Sequence, residues 1–336
     1  MGITGCADAP DGHVPPLVVY VSVDEVLARQ LLGAFTQDTG VQVLLVGDSE
    51  AFKSTGLAQR ILSEQARPVA DVFWSSEVVQ VARLAHKGLL EPVLKGRAAN
   101  WPTQWRDAEH RWHAFSPRPR VLAFDPDRIA AKDVPLTWDG MLAERFKGQV
   151  AIADPRFGTT GGHFTAMRQR MLDRGTPEAW DRFLQRLAGH AMQIRSGGNA
   201  ATVDAVVRGE ALLGLTDADD VRAARRRGLR VDMVVPRHDA DEGGGAMLTP
   251  NAVAVVRGGP NAHNGHLLVN WLLGERAATM LASSTSANMP LQPSVQRAFE
   301  DLVIDDPLQV DFARVAMSHE AALSQVLEAI RPPGAF

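Results

Sequence analysis

Short β-rich runs alternate with helical patterns along most of this chain, and that alternation constrains the fold more than any other feature. Leu17-Val18-Val19-Tyr20-Val21 reads as a buried strand. Asp24 to Thr36 follows, with Val26, Leu27, Leu31 and Phe35 near one helical face. Gly40 closes this helix as a C-terminal cap. A second strand covers 41–46, a second helix 55–65 and a third strand 70–74. Ser75 or Ser76 then caps a helix running to His86, and Gly88 stops it. Strand and helix in turn, with short connections, is the pattern of a parallel sheet covered by helices on both faces.

The segment from Asn100 to Pro119 breaks the rhythm with Trp101, Trp105, Trp112 and three prolines. Beyond it, strands are expected at 121–124, 149–153, 192–195, 211–216, 231–235 and 251–256. Helices are expected at 162–172, 177–187, 200–208 and 219–227. Gly243-Gly244-Gly245 marks a loop. From His263 the pattern is mainly helical, ending in an amphipathic helix from Phe312 to Ile330. A chain of 336 residues is too long for one ordinary core, so the expected fold class is α/β with two lobes. Irregular crossings near 113–120 and 245–251 place a cleft between them.

Composition closes off several classes. Hydrophobic residues are 45% and charged residues 22%, which is ordinary for a folded globular chain. A net charge of −4 argues against nucleic acid or an anionic membrane surface as a general partner. No run of about 18 to 20 apolar residues occurs, so nothing has the length to span a bilayer. A single cysteine, Cys6, rules out intramolecular disulfides and zinc ribbons. Its context, Ile3-Thr4-Gly5-Cys6 followed by a polar stretch with Pro10, looks like a bacterial lipobox whose cysteine is lipidated. A lipoprotein precursor carries a charged and an apolar segment upstream, whereas five residues precede Cys6.

Sites in α/β sheets gather where strands end and helices begin. The first lobe offers Ser22, Ser49, Glu50, Ser76 and Glu77 at such positions. The second offers Thr159, Thr160, Asp217 and Asp219. Hydroxyls and glycines at helix starts leave N–H groups for an anion, and Gly158-Thr159-Thr160-Gly161-Gly162 is the clearest case. The same residue types also serve as plain helix caps. Arg118, at the crossing, suits a bidentate grip on an anion or a tie between the lobes. Asp217, Asp219 and Asp220, with Glu77, suit either a hard cation or the start of a helix.

No G-x-S-x-G elbow, P-loop, H-E-x-x-H or G-x-G-x-x-G after a strand is present. His110 and His113 read as a solvated surface pair, and His163 as a cap or a ligand contact. Arg225-Arg226-Arg227 reads as the basic complement of a helix C-terminus. Trp138 and Trp271 sit in apolar settings and read as core.

The stretches Val19 to Asp24, Asp71 to Glu77, Gly88 to Pro92, Ala151 to Thr160, Gly214 to Asp220 and Pro250 to Ala254 together resemble a known family. The chain is similar to extracellular solute-binding proteins of ABC importers, in the ferric-iron group, from about Leu17 to Pro293. The resemblance implies a periplasmic-binding-protein type 2 fold, with the second lobe inserted into the first. That places 1–15 in a flexible tail, 16–118 plus 248–336 in lobe one and 119–247 in lobe two. It also implies a place outside the cytoplasmic membrane, a monomer, and importer membrane subunits as partners. A lipid anchor at Cys6 would be the only membrane attachment.

Ferric-binding relatives use a tyrosine pair after the strand that here ends at Thr216, because phenolate suits hard Fe(III). This chain has one tyrosine, Tyr20, inside the first strand, and Asp217-Ala218-Asp219-Asp220 stands at the tyrosine position. A tyrosinate iron site is thereby excluded. Two kinds of cargo remain: a metal ion held by Glu77, Asp217 and Asp219, or a small anion such as a phosphonate, including an organic ligand with both charges. No resident cofactor and no catalysis are expected. The alternatives are an enzyme acting on a phosphorylated small molecule, with Glu77 and Asp217 as acid and base, and a ligand-sensing receptor subunit.

Overall fold

The computed structural model describes residues 15–47, 53–238 and 245–331, so Cys6, Ser49 and Glu50 lie outside the described residues. The first lobe opens with β1 (Leu17–Val21), α1 (Glu25–Thr39), β2 (Val43–Val46), α2 (Lys53–Ser63), β3 (Val72–Ser75), α3 (Val78–His86) and β4 (Leu90–Glu91). β5 (His113–Phe124) then crosses to the second lobe. There follow β6 (Val150–Ala153), α4 (Thr159–Asp173), α5 (Pro177–Gly189), β7 (Gln193–Arg195), α6 (Gly198–Val207), β8 (Leu213–Asp217), α7 (Ala218–Arg226) and β9 (Asp232–Val234). β10 (Leu248–Val256) returns the chain. α8 (Ala262–Leu272), α9 (Glu275–Ser283), α10 (Pro293–Gln296) and α11 (Phe312–Ala329) complete it.

The strands lie in the order β2-β1-β3-β10-β5-β8-β6-β7, with β4 beside β10 and β9 beside β5. β1 is parallel to β2 and β3, and β6 to β7 and β8, as the alternation predicts. The middle of the sheet differs: β10 is antiparallel to β3 and β5, and β5 to β8. The reason lies in the crossings. β5 leaves the first lobe and β10 re-enters it, so the two run in opposite directions. Pro119 sits opposite Leu248, while Arg120 to Phe124 already face β8. β5 therefore starts as a strand of one lobe and ends as a strand of the other.

Each lobe buries apolar side chains on both faces of its sheet. In the first, Tyr20 and Phe73 face α3, while Val19, Val72 and Trp74 pack with Leu31, Phe35 and Leu268. In the second, Leu122, Ile152 and Leu215 meet Trp138, Phe164 and Phe183, and Val121 and Ala151 meet Val203 and Val221. Trp138 is buried as expected; Trp271 is only partly buried and donates its indole N–H to Asp38 Oδ2 at 2.8 Å.

Several expectations need correction. The segment read as irregular resolves into short turns and then β5 from His113 onward. Its prolines, Pro117 and Pro119, sit at the crossing, where one ladder gives way to the other. His110 and His113 are no solvated pair: His113 is fully buried, and Nδ1 of the first and Nε2 of the second both meet Ala98 O at 3.2 Å. Neither serine caps α3; Glu77 does, accepting from Val79 N at 2.7 Å and Gln80 N at 3.0 Å.

The division by residue number also needs amendment at α11. Phe312, Val315 and Ala316 share the core that holds α3, while Val326 packs with Trp180 and Phe183 of the second lobe. Arg83 of α3 pairs with Glu320, and Gln325 Oε1 accepts from Arg168 and Trp180. The helix packs against both lobes. Among the described residues, no helix is long and apolar enough to cross a membrane.

Candidate functional site

The cleft between the lobes holds a cavity of about 440 Å³ lined by residues of both. Its first wall is made where β1 and β3 end and α2 begins. Ser22 Oγ lies 3.0 Å from Ser54 Oγ, Ser54 Oγ 3.3 Å from Ser76 Oγ, and Ser76 N donates to Ser22 Oγ at 2.9 Å. Three hydroxyls on three different elements thus converge at the edge of the cavity, beside the N-terminal turn of α2. Hydroxyl donors next to a helix N-terminus favour an anionic group.

The opposite wall is built on Asp217, the last residue of β8, which is fully buried. Arg118 Nη2 donates to its Oδ2 at 2.9 Å and Arg120 Nη1 to its Oδ1 at 2.8 Å. Thr159 Oγ1 and Asn199 Nδ2 each donate to Oδ2 at 3.0 Å. Burial pushes this carboxyl upward in pKa, but Arg118 and Arg120 outweigh it and hold the group below its ordinary range. With both oxygens occupied, Asp217 organises the wall and has little left to offer a ligand.

Arg118 lines the cavity and also ties the lobes. Its Nη1 donates to Ser76 O at 2.9 Å and Thr249 O at 3.3 Å, and its Nε lies 3.1 Å from Asp219 Oδ2. It binds the first lobe, the returning strand and the second lobe at once. Arg120 is a residue the sequence reading missed. It is fully buried and reaches Thr159 Oγ1 at 2.8 Å, Thr160 Oγ1 at 3.1 Å and Asn199 Oδ1 at 3.3 Å. The signal was present: in Arg118-Pro119-Arg120, alternation along a strand puts both guanidinium groups on one face. Thr160 is turned to this arginine and does not line the cavity, whereas Thr159 does.

Asp219 and Asp220 begin α7 and line the same cavity. Burial raises the pKa of both; Asp217 adds to the effect at Asp219, and Asp219 and then Asp217 at Asp220. Asp219 Oδ1 is shielded from solvent and has no hydrogen-bond partner among the described residues. Two carboxyl groups thus share the cavity with the three serines, Asp219 beside the Arg118 guanidinium.

The three aspartates have ligand atoms within 4.8 Å of one another. Glu77, expected to join them, does not. Its carboxylate caps α3 and lines a separate small cavity with Val78 and Thr249, and it is absent from the lining of the cleft. Burial pushes its pKa up to about 7 against the pull of the Gln80 and Val79 N–H groups. The metal set Glu77, Asp217 and Asp219 is thus not assembled. His163 is buried, with Nε2 3.0 Å from His238 Nε2, and it neither caps nor lines the cleft. Asn199, in the first turn of α6, and Thr285, Ser286 and Asn288 line it without having been singled out, because single polar residues carry no periodic signal.

Two α/β lobes around a polar cleft, with cavity walls from each, define a two-lobed ligand-binding protein. The chain belongs to the bacterial extracellular solute-binding protein family, whose profile matches residues 67–311. It is 27% identical over 297 residues to the major ferric iron-binding protein of Neisseria meningitidis, covering 84% of this chain and 83% of that protein. It is 26% identical over 264 residues to a putative 2-aminoethylphosphonate-binding periplasmic protein of Salmonella typhimurium, covering 78% and 73% respectively. Among solved structures, iron-bound HitA of Pseudomonas aeruginosa superposes with a TM-score of 0.79 at 22% identity, covering 94% of this chain and 99% of that one. AfuA of Actinobacillus pleuropneumoniae, with fructose-6-phosphate bound, gives 0.77 at 17% identity, covering 94% and 98%. These superpositions speak to the fold.

Proposed function

We propose that this chain is the solute-capturing component of an ABC importer, and that its cargo is a small organic molecule with an oxyanion at one end and an ammonium group at the other. One observation carries this reading. The hydroxyls of Ser22, Ser54 and Ser76 stand on one wall of the cleft, and the carboxyl groups of Asp219 and Asp220 on the other. A phosphonate or phosphate suits the first and an amine the second. The relative named for 2-aminoethylphosphonate supports that class.

Ferric ion is disfavoured by the chemistry of the cleft. The single tyrosine, Tyr20, is buried in β1, and its hydroxyl donates to Glu64 at 2.9 Å. Asp217 is saturated by guanidinium, hydroxyl and amide donors. The same saturation, with Glu77 occupied as a helix cap, argues against these two residues as the acid and base of an enzyme. On this reading the ligand leaves unchanged, the protein works in the periplasm as a monomer, and the rims of both lobes meet the importer's membrane subunits.

A thermal-unfolding panel tests the cargo class, using 2-aminoethylphosphonate, methylphosphonate, phosphate, ethylamine and Fe(III)-citrate. A ligand at a hundred times its Kd adds about 2.7 kcal/mol, a rise of several degrees. The expected result is the largest rise with the zwitterion. A rise with Fe(III) alone would overturn the reading.

A further inference from the structure

α7 does more than present Asp219 and Asp220. Its arginines fall into two sets. Arg225 and Arg227 stay within the second lobe: Arg225 Nε donates to Val231 O at 2.9 Å, and Arg227 Nη2 lies 3.7 Å from Asp204 Oδ1. Arg222 and Arg226, four residues apart on one helical face, reach across the cleft instead. Arg222 Nη1 donates to Ala287 O at 2.7 Å and to Ser286 O at 3.4 Å, and Arg226 Nη2 donates to Ser284 O at 2.9 Å. Ser284 is the C-cap of α9 in the first lobe, so the carbonyl that Arg226 meets stands at the negative end of a helix and welcomes a guanidinium.

The receiving segment is shaped and anchored. Ala287 has a positive φ of 45°, and Asn288 Nδ2 and Met289 N donate to Ser116 O and Pro117 O of β5 at 3.0 and 2.8 Å. Thr285 and Ser286 from this segment, and Asp220 and Ala223 from α7, all border the cavity. The arginine bonds therefore lie at the cavity's rim and join α7 to a segment that is itself held on β5.

We infer that Arg222 and Arg226 form a clasp that fastens the closed arrangement of the lobes and sets how long the cleft stays shut, whatever it holds. Opening a two-lobed protein about its crossing strands leaves β5 and β10 paired, whereas a rim contact between opposed lobes must break. Neither arginine lines the cavity, although Arg222 lies close enough to Asp219 to pull its pKa downward. This inference does not depend on the cargo proposed above.

The test is a pulsed-EPR distance measurement on the full chain with Cys6→Ser and nitroxides on Leu44→Cys in β2 and Ile194→Cys in β7, residues 50% and 38% exposed. Distances are collected without added solute and with 2-aminoethylphosphonate. Wild type is expected to show a short-distance population. Arg222→Ala/Arg226→Ala should lower the ratio of short to long distances by about tenfold or more in whichever condition populates it. Arg225→Ala, on the same helix but bonded to Val231 and Asp232 of the second lobe, should leave the ratio within about twofold. Arg222→Lys/Arg226→Lys keeps the charge and should fall between them. The inference is overturned if the Arg222/Arg226 alanine pair lowers the ratio no more than Arg225→Ala does. It is also overturned if wild type shows no short-distance population in either condition.

Discussion

Arg118 holds Asp217 at 2.9 Å while donating to the Ser76 carbonyl of the opposite lobe, also at 2.9 Å. One guanidinium thus joins the floor of the cleft to both of its walls. The pair is a buried hub on the lining of the cleft.

Replacing Asp217 with Ala leaves the Arg118 and Arg120 guanidinium groups buried without their shared carboxylate. Breaking a buried pair in this way costs about 3–5 kcal/mol. Urea denaturation should show a lower midpoint which, multiplied by the m-value, amounts to about that loss. An unchanged midpoint would mean that the hub contributes nothing to stability.

The serines and aspartates should divide the ligand between them. Ser54→Ala removes one hydroxyl from the anion wall, and a hydrogen bond to a charged group is worth about 1.5–3 kcal/mol. Titration calorimetry should therefore show 2-aminoethylphosphonate and methylphosphonate weakened alike. Asp220→Asn should weaken only the amine-bearing ligand, reducing the preference between the two. Equal losses for both ligands in the second variant would contradict an ammonium subsite at α7.

Glu77 gives the stability profile a definite sign. Its folded pKa is raised from 4.5 to about 7, so the folded state holds the proton more tightly than the unfolded chain. Its favourable contribution is complete below pH 4.5 and is lost as pH rises toward 7, by about 3 kcal/mol in all. His113 and His319, both pushed down to about 4 by burial, act in the opposite sense. They favour the folded state above pH 6.5 and lose that effect as pH falls toward 4. In Glu77→Gln the loss between pH 4.5 and 7 should shrink, leaving the slope to the remaining shifted groups, Asp219, Asp220 and the buried histidines among them. Urea midpoints measured from pH 4 to 8 decide it.

Gly161 opens α4 close to the Pro155 carbonyl, where a Cβ would collide with backbone oxygen. Gly161→Ala should therefore displace the first turn of α4, which carries Thr159 into the cleft, and reduce both thermal midpoint and ligand affinity. Gly175→Ala, at a helix end with open space around it but a φ of 68°, should reduce the midpoint alone.

Much of the fold was legible because periodicity reports burial. Leu17 to Val21 and Phe312 to Ala329 show their period directly, and their boundaries match to within a residue. The antiparallel centre was not legible, since hydrophobic alternation says nothing about strand direction. Nor was β5 before Val121: its prolines and arginines hide a strand whose polar face is turned to Asp217. At the site, Ser22, Ser76, Thr159, Asp217 and Asp219 do line one cleft, because strand ends and helix starts are marked by residue type. Glu77 misled for the same reason. A carboxylate before a helix looks identical whether it faces ligand or folds back onto the helix's own N–H groups. The Arg222 and Arg226 contacts were invisible because their acceptors are main-chain carbonyls, which every residue possesses.

β5 spends its first half in one sheet and its second half in the other. No peptide bond along it can be cut to release an intact half-molecule. Each lobe supplies the edge on which the other is laid, so they share a common fate in synthesis, in unfolding and under mutation. Bending at this strand is thus an exchange within one continuous fabric, and a cut there would unravel both sides.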